Sequence, residues 1–115
     1  MYNISHKDFA TVLSILDSIE KILEYTSKFN NPDELFEDTK SFDATMMNFI
    51  VIGEMADKLS DEIKNETAEN VDWRKVVGFR NIIAHNYFGV DAEEVWQIIQ
   101  NSLIRLKEAL SDYVK

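Results

Sequence analysis

Only four of the 115 positions hold a residue that readily breaks a helix: Pro32, Gly53, Gly78 and Gly89. All-β chains spend glycine and proline freely on turns, so this scarcity points to long helices joined by a few short loops. A chain of this length is expected to form one domain over residues 1–115, because either half would be too small to bury a core of its own. Its hydrophobic fraction of 45% and charged fraction of 29% are those of an ordinary globular protein. The expected fold class is therefore all-α.

Apolar periodicity fills in the elements. Phe9, Val12, Leu13, Leu16, Ile19 and Leu23 recur at three-and-four spacing, which predicts a helix from about Ile4 to Phe29 with Ser5 as its N-cap and Asn30, Asn31 and Pro32 as its end. Residues 33–40 have room for one extra turn. A second long helix is predicted from Phe42 to Ile63, with Ser41 as its cap. It carries two apolar stripes: Phe42, Met46, Phe49, Ile52, Ala56, Leu59 and Ile63 on one side, and Met47, Ile50, Val51 and Met55 on another. Two stripes exceed what one buried face needs, so this helix is expected to be central in the bundle and also covered by a partner. Asp72 should cap a third helix through Trp73, Val76, Val77, Phe79, Ile82 and Ile83, ending near residues 85–89 with Asn86 and Gly89 left-handed. Asp91-Ala92-Glu93-Glu94 opens a last helix whose apolar face is Val95, Trp96, Ile99, Leu103, Leu106 and Leu110. The short link 86–90 predicts that the third and last helices pack as antiparallel neighbours.

Several functions are excluded early. The chain has no cysteine, which removes a disulfide framework, a thiolate zinc site and a cysteine nucleophile, and fits a reducing cytoplasm. Its two histidines, His6 and His85, are far apart and lack metal-ligand spacing, so no metal is expected. Phosphate-loop and nucleophile-elbow motifs are absent, and no cofactor is expected. No stretch approaches the roughly 20 apolar residues of a membrane helix, and residues 1–12 carry no apolar run of the signal-peptide kind. Twenty-one acids against twelve bases give a net charge of −9, which argues against duplex DNA binding. It leaves room for a local cationic site that takes one phosphate, and for a basic protein partner.

The most informative segment is Phe79-Arg80-Asn81-Ile82-Ile83-Ala84-His85-Asn86-Tyr87-Phe88-Gly89-Val90-Asp91. Residues five apart sit roughly 140° apart on a regular helix. Arg80 and His85 meet only if the helix ends or bends at the histidine, if Arg80 reaches back along the surface, or if a two-fold axis joins the pairs of two chains. Such a pair has the parts for cutting RNA without metal. An imidazole exchanges protons near neutrality, and a guanidinium fork holds the charge that develops on phosphorus when the 2′-hydroxyl attacks. The same residues also have a purely structural explanation, since Arg and His are favoured at helix C-termini by the helix dipole.

The run Arg80-Asn81-Ile82-Ile83-Ala84-His85-Asn86-Tyr87 resembles the Arg-x4-His-x-Tyr signature of the HEPN superfamily. Gly78-Phe79-Arg80-Asn81, Phe88-Gly89-Val90-Asp91, Ile52-Gly53-Glu54 and Trp96 look like its HepT-like subgroup. The resemblance implies a homodimeric bundle of four to five helices and a metal-independent endoribonuclease acting as the toxin of a toxin–antitoxin pair. It implies Arg80 and His85 as catalytic residues and Asn81 as a supporting residue. It also implies a partner, a minimal nucleotidyltransferase antitoxin that adenylylates Tyr87 rather than Tyr2, Tyr25 or Tyr113. Glu54, which interrupts an apolar stretch, is read either as a carboxylate supporting Arg80 or His85, or as a solvated residue paired with Lys58. The competing functional readings are a non-catalytic dimeric interaction module and, disfavoured by charge, a DNA-binding regulator.

Overall fold

The computed structural model describes residues 4–115, and every regular element among them is helical. Helix α1 spans His6–Thr26, α2 Pro32–Glu37, α3 Thr39–Lys58, α4 Asp61–Glu66 and α5 Trp73–His85. A 3₁₀ turn at Tyr87–Gly89 leads into α6, Ala92–Gln97. One π turn, Ile98–Ser102, joins α6 to α7, Leu103–Ser111, so residues 92–111 form one continuous rod. Four long rods and two short helices make up the bundle.

Most helix starts lie where the capping residues predict them. The Ser5 hydroxyl accepts the Asp8 N–H at 3.0 Å, and the Asp72 carboxylate accepts the Lys75 N–H at 3.2 Å. Asp91 accepts from Glu93 at 2.9 Å to open α6. The second long helix differs from expectation. Asp38, not Ser41, is its cap, with the Ser41 N–H donating to it at 3.1 Å. The helix also stops at Lys58, because Leu59 is extended and Ser60 caps a separate short helix whose Ile63 N–H it accepts. The apolar pattern runs straight through this break, which is why periodicity alone hides it. The buried Asp8 carboxylate fixes the corner by accepting the Ser60 N–H at 3.1 Å.

Helix α3 is the centre. It packs on α1, α2 and α5, and its stripe Phe42, Met46, Phe49, Ile52 and Ala56 is buried. The buried face of α1 is Val12, Ile15, Ile19 and Ile22; Phe9 and Leu13, expected in the core, are exposed. The stripe is thus rotated toward Ile15 and Ile22, which the three-and-four pattern fits equally well.

The third and last rods do not pack together as expected. α5 lies on α3, whereas α6 lies on α2 and α7 on α1. Between the two rods runs an open groove of about 820 Å³. Gly78, in the middle of α5 on the groove wall, has open space where a Cβ would stand. It needs no unusual backbone angle, and it costs the helix about 1 kcal/mol relative to alanine.

Trp73 anchors the start of α5: its indole N–H donates to the buried Thr67 hydroxyl at 2.9 Å, and that hydroxyl donates in turn to the Ile63 carbonyl at 2.8 Å. Thr67→Val leaves the indole donor buried without an acceptor. The expected loss is about 1–3 kcal/mol in urea unfolding, with the slope of the transition unchanged. A loss below half of that range means water reaches the indole.

Candidate functional site

Arg80 lies where α5 crosses α3 at Gly53. A Cβ on Gly53 would collide with the Cβ of Arg80, so the absence of a side chain there is what lets the two helices approach. The Arg80 stem is pressed on the α3 backbone and its side chain is only 17% exposed. Its guanidinium emerges beside acidic residues. Nη1 donates to Glu54 Oε1 at 2.9 Å and lies 3.9 Å from Asp57 Oδ2, while Nε donates to Asn81 Oδ1 at 3.0 Å. Of the two readings of Glu54, the structure therefore gives the partner of Arg80. Glu54 and Asp57 are both more than half exposed, so these pairs add little stability, about 0–1 kcal/mol each. Their effect is orientation: the fork is held with its plane fixed.

His85 is the last residue of α5. It is exposed, and among the described residues no hydrogen bond or ion pair joins it to Arg80 or to any other group. The helix neither bends nor ends before it, so within one chain the two side chains stay on separate flanks of α5. Asn86 does end the helix, with backbone angles that are neither helical nor fully extended (φ −149°, ψ 54°) and its N–H on the Ile82 carbonyl. Neither it nor Gly89 is left-handed, because a 3₁₀ turn replaces the expected glycine cap.

Tyr87 follows in that turn. Its ring packs edge-on against Phe42 at 6.2 Å, and its hydroxyl donates to the Asp43 carboxylate. Partial burial first, and then the hydrogen bond and negative charge of Asp43, raise the phenol's pKa above the ordinary tyrosine range. The neighbouring Phe88 ring touches Tyr87 edge-on and is otherwise fully exposed. Of the remaining tyrosines, Tyr113 is buried with its hydroxyl 2.5 Å from Glu66, Tyr25 is half-buried, and Tyr2 lies outside the described residues.

Sequence reasoning missed Asp43 and Asp57. The signal was available: Asp43, Met47, Ile50, Glu54 and Asp57 recur at heptad spacing on one flank of α3, and Tyr87, in the turn that continues α5, is seven residues from Arg80. Helix α5 runs antiparallel to α3, so the later acids meet Arg80 and the first meets Tyr87. Neither the groove between α5 and the last rod nor the small polar pocket beside Glu66 is lined by Arg80, His85 or Tyr87. Among the described residues no helix is long and apolar enough to cross a membrane.

Residues 15–113 match the family model described as Ribonuclease HepT-like. A protein of Thermococcus cleftensis named probable ribonuclease HepT is 30% identical over 103 residues, covering 90% of each chain. A Methanocaldococcus jannaschii protein named as a candidate RNase is 28% identical over 99 residues, covering 86% of this chain and 89% of its own. Another from the same organism, named as a gamma-glutamylcyclotransferase and candidate RNase, is 33% identical over 96 residues. The match takes in 84% of this chain but only 42% of that longer relative. No solved structure matches the chain.

Two predictions follow from the α3–α5 contact. Gly53→Ala should destabilise the fold by about 1–3 kcal/mol despite alanine's better helix propensity, because the new methyl group meets Arg80. Unchanged or increased stability on thermal unfolding would mean that the helices part at no cost. For Tyr87, the raised pKa means that the hydrogen bond stabilises the fold fully below the unfolded tyrosine pKa of about 10. That contribution is lost as pH rises through the folded value. Tyrosinate absorbance should show one phenol ionising after the others, absent in Tyr87→Phe and shifted toward the ordinary range in Asp43→Asn.

Proposed function

Because the chain belongs to the HepT-like ribonuclease family, we propose that it is a metal-independent endoribonuclease whose active site forms between two copies of the chain. The observation that carries this reading is the placement of Arg80. A partly buried guanidinium is fixed by Glu54 and Asn81 at a helix crossing, while His85 stands one turn away with no partner of its own. Its ring is left in solvent, open to exchange a proton with a substrate.

The second copy supplies the missing geometry. Met47 on α3 is 59% exposed, Phe88 is wholly so, and Ile50, Val51 and Met55 are half-buried. An isologous contact across this face covers the surplus stripe of α3 and brings Arg80 of each chain toward His85 of the other. RNA is then cut by attack of its own 2′-hydroxyl on the adjacent phosphorus. One histidine takes the hydroxyl proton, the other protonates the leaving 5′-oxygen, and the arginines hold the phosphorane oxygens. Asn81 and Glu54 set the fork and do not touch substrate.

Tyr87 is the proposed control point. A minimal nucleotidyltransferase antitoxin transfers AMP from ATP to its hydroxyl: the phenolic oxygen attacks the α-phosphorus, the bond to pyrophosphate breaks, and Asp43 takes the phenolic proton. The attached nucleotide adds bulk and negative charge at the mouth of the shared cleft, which silences the toxin without unfolding it. Tyr87→Phe should cut RNA and escape the antitoxin. The rival reading, a non-catalytic dimeric module, draws support from the acids around Arg80, which offset its charge in the free chain.

Incubation with RNA in EDTA separates the two. The enzyme leaves 2′,3′-cyclic phosphate ends; His85→Ala abolishes cleavage at the parent melting temperature, and Arg80→Ala abolishes it with a small loss of stability from its packed stem. Adding an equal amount of His85→Ala to the parent should roughly halve the parent's activity once the dimers re-assort, because a dimer with one histidine lacks either the base or the acid. Intact RNA with the parent protein refutes the nuclease, and activity unchanged by the added variant refutes the composite site.

A further inference from the structure

We propose that the groove between α5 and the rod of residues 92–111 is a docking site for an acidic amphipathic helix of another protein. Its floor is the α3 side of the core, Phe49 and Ile52, and its walls are α5 on one side and the π turn and α7 on the other. The lining is mainly apolar. Ile82 projects from the α5 wall with half its surface exposed, and Ile98 faces it from the π turn. Two helical walls over an apolar floor match a third helix laid between them, anchored by side chains at helical three-and-four spacing.

Gly78 bears on the same point. It weakens the middle of α5, its backbone angles are ones any residue adopts, and nothing in the chain stands over it. A bare helix surface on a groove wall lets another backbone approach closely, which is the one gain its position offers.

Charge selects the occupant. Arg74 and Lys75 stand at one end of the α5 wall and Arg105 stands opposite them on α7. Among the described residues none of the three makes an ion pair. Arg105 also borders a small polar pocket with Glu66, Glu108 and Asp112, yet reaches no carboxylate there within 4 Å. Asp72 and Glu94 line the groove too, but Asp72 is occupied in capping α5. In a chain of net charge −9 these are cations left for an acidic guest. A second copy leaves Phe9, Leu13 and Met47 exposed, but each stands on a helix already packed into its own bundle, so it offers no detached helix to lie between the walls. RNA has the charge but no apolar face to cover Ile82 and Ile98.

The test places a photo-crosslinking benzoylphenylalanine at Ile82 in the full chain, in its own cells, and sequences the crosslinked segment by mass spectrometry. The expected adduct is one segment of a different protein, with apolar residues at i, i+3 or i+4, and i+7, and an excess of Asp and Glu. Charge reversal at Arg74 and Lys75 should cut its yield at least tenfold with the melting temperature unchanged. Should that variant unfold, the neutral set Arg74→Gln, Lys75→Gln and Arg105→Gln gives the same reading. Adducts only to a second copy or to RNA, a segment lacking the pattern, no adduct, or a yield indifferent to the rim charges would each overturn the proposal. RNA cleavage by the same preparations is scored separately, so loss of the nuclease reading leaves this result interpretable.

Discussion

The contact between Gly53 and Arg80 sets the geometry of everything near it. With no side chain at 53, α5 settles against the α3 backbone, and the methylene stem of Arg80 takes the place a Cβ would have filled. The guanidinium has no route into the core and emerges over α3, between Glu54 and Asp57. The same antiparallel register carries Tyr87 to Asp43 at the other end of α3. The ion pair and the phenol bond are two ends of one helix–helix contact, and a shift of either helix along the other disturbs both.

An arginine already bound to a carboxylate looks like a poor phosphate site, and the overall charge of −9 sharpens the question. The strength of the pair answers it. Glu54 is more than half exposed, so its bond to Arg80 is screened by water and easily exchanged. In the proposed nuclease a phosphate oxygen would use the same Nη1 donor, so exchanging one oxyanion for another would require no reorientation of the fork. The stem stays fixed by packing while the head changes partner. A tightly buried pair would lose this freedom, because removing its carboxylate would cost several kcal/mol.

Composition and periodicity made the helical class legible, and the caps Ser5, Asp72 and Asp91 marked three of the starts. What they could not show was which of two compatible stripes faces the core. Phe9 and Leu13 fit the α1 pattern as well as Ile15 and Ile22 do, and only the packing of α3 decides between them. The break after Lys58 was hidden for a related reason: Leu59 and Ile63 are buried on both sides of it, so the apolar pattern survives a change of direction. Arg80, His85, Asn81 and Tyr87 were singled out because they share one segment. Asp43 and Asp57 were not, since their partners are dozens of residues away and a lone acid on a helix reads as a solvated one.

The π turn explains why the last rod leaves α5. Val95, Ile99 and Leu103 are all buried, at successive intervals of four. On a 3.6-residue helix each such step drifts by about 40°, so three residues in a row would wind away from the core. One wider turn at residues 98–102 absorbs the drift and keeps all three on α1 and α2. Beyond it, Leu106 and Leu110 resume ordinary spacing on α7. The rod thus keeps Val95 and Ile99 out of the groove, while Ile98, Leu103 and Leu106 line its side facing α5. The groove stays open because α6 packs on α2 and α7 on α1, which holds the rod off α5.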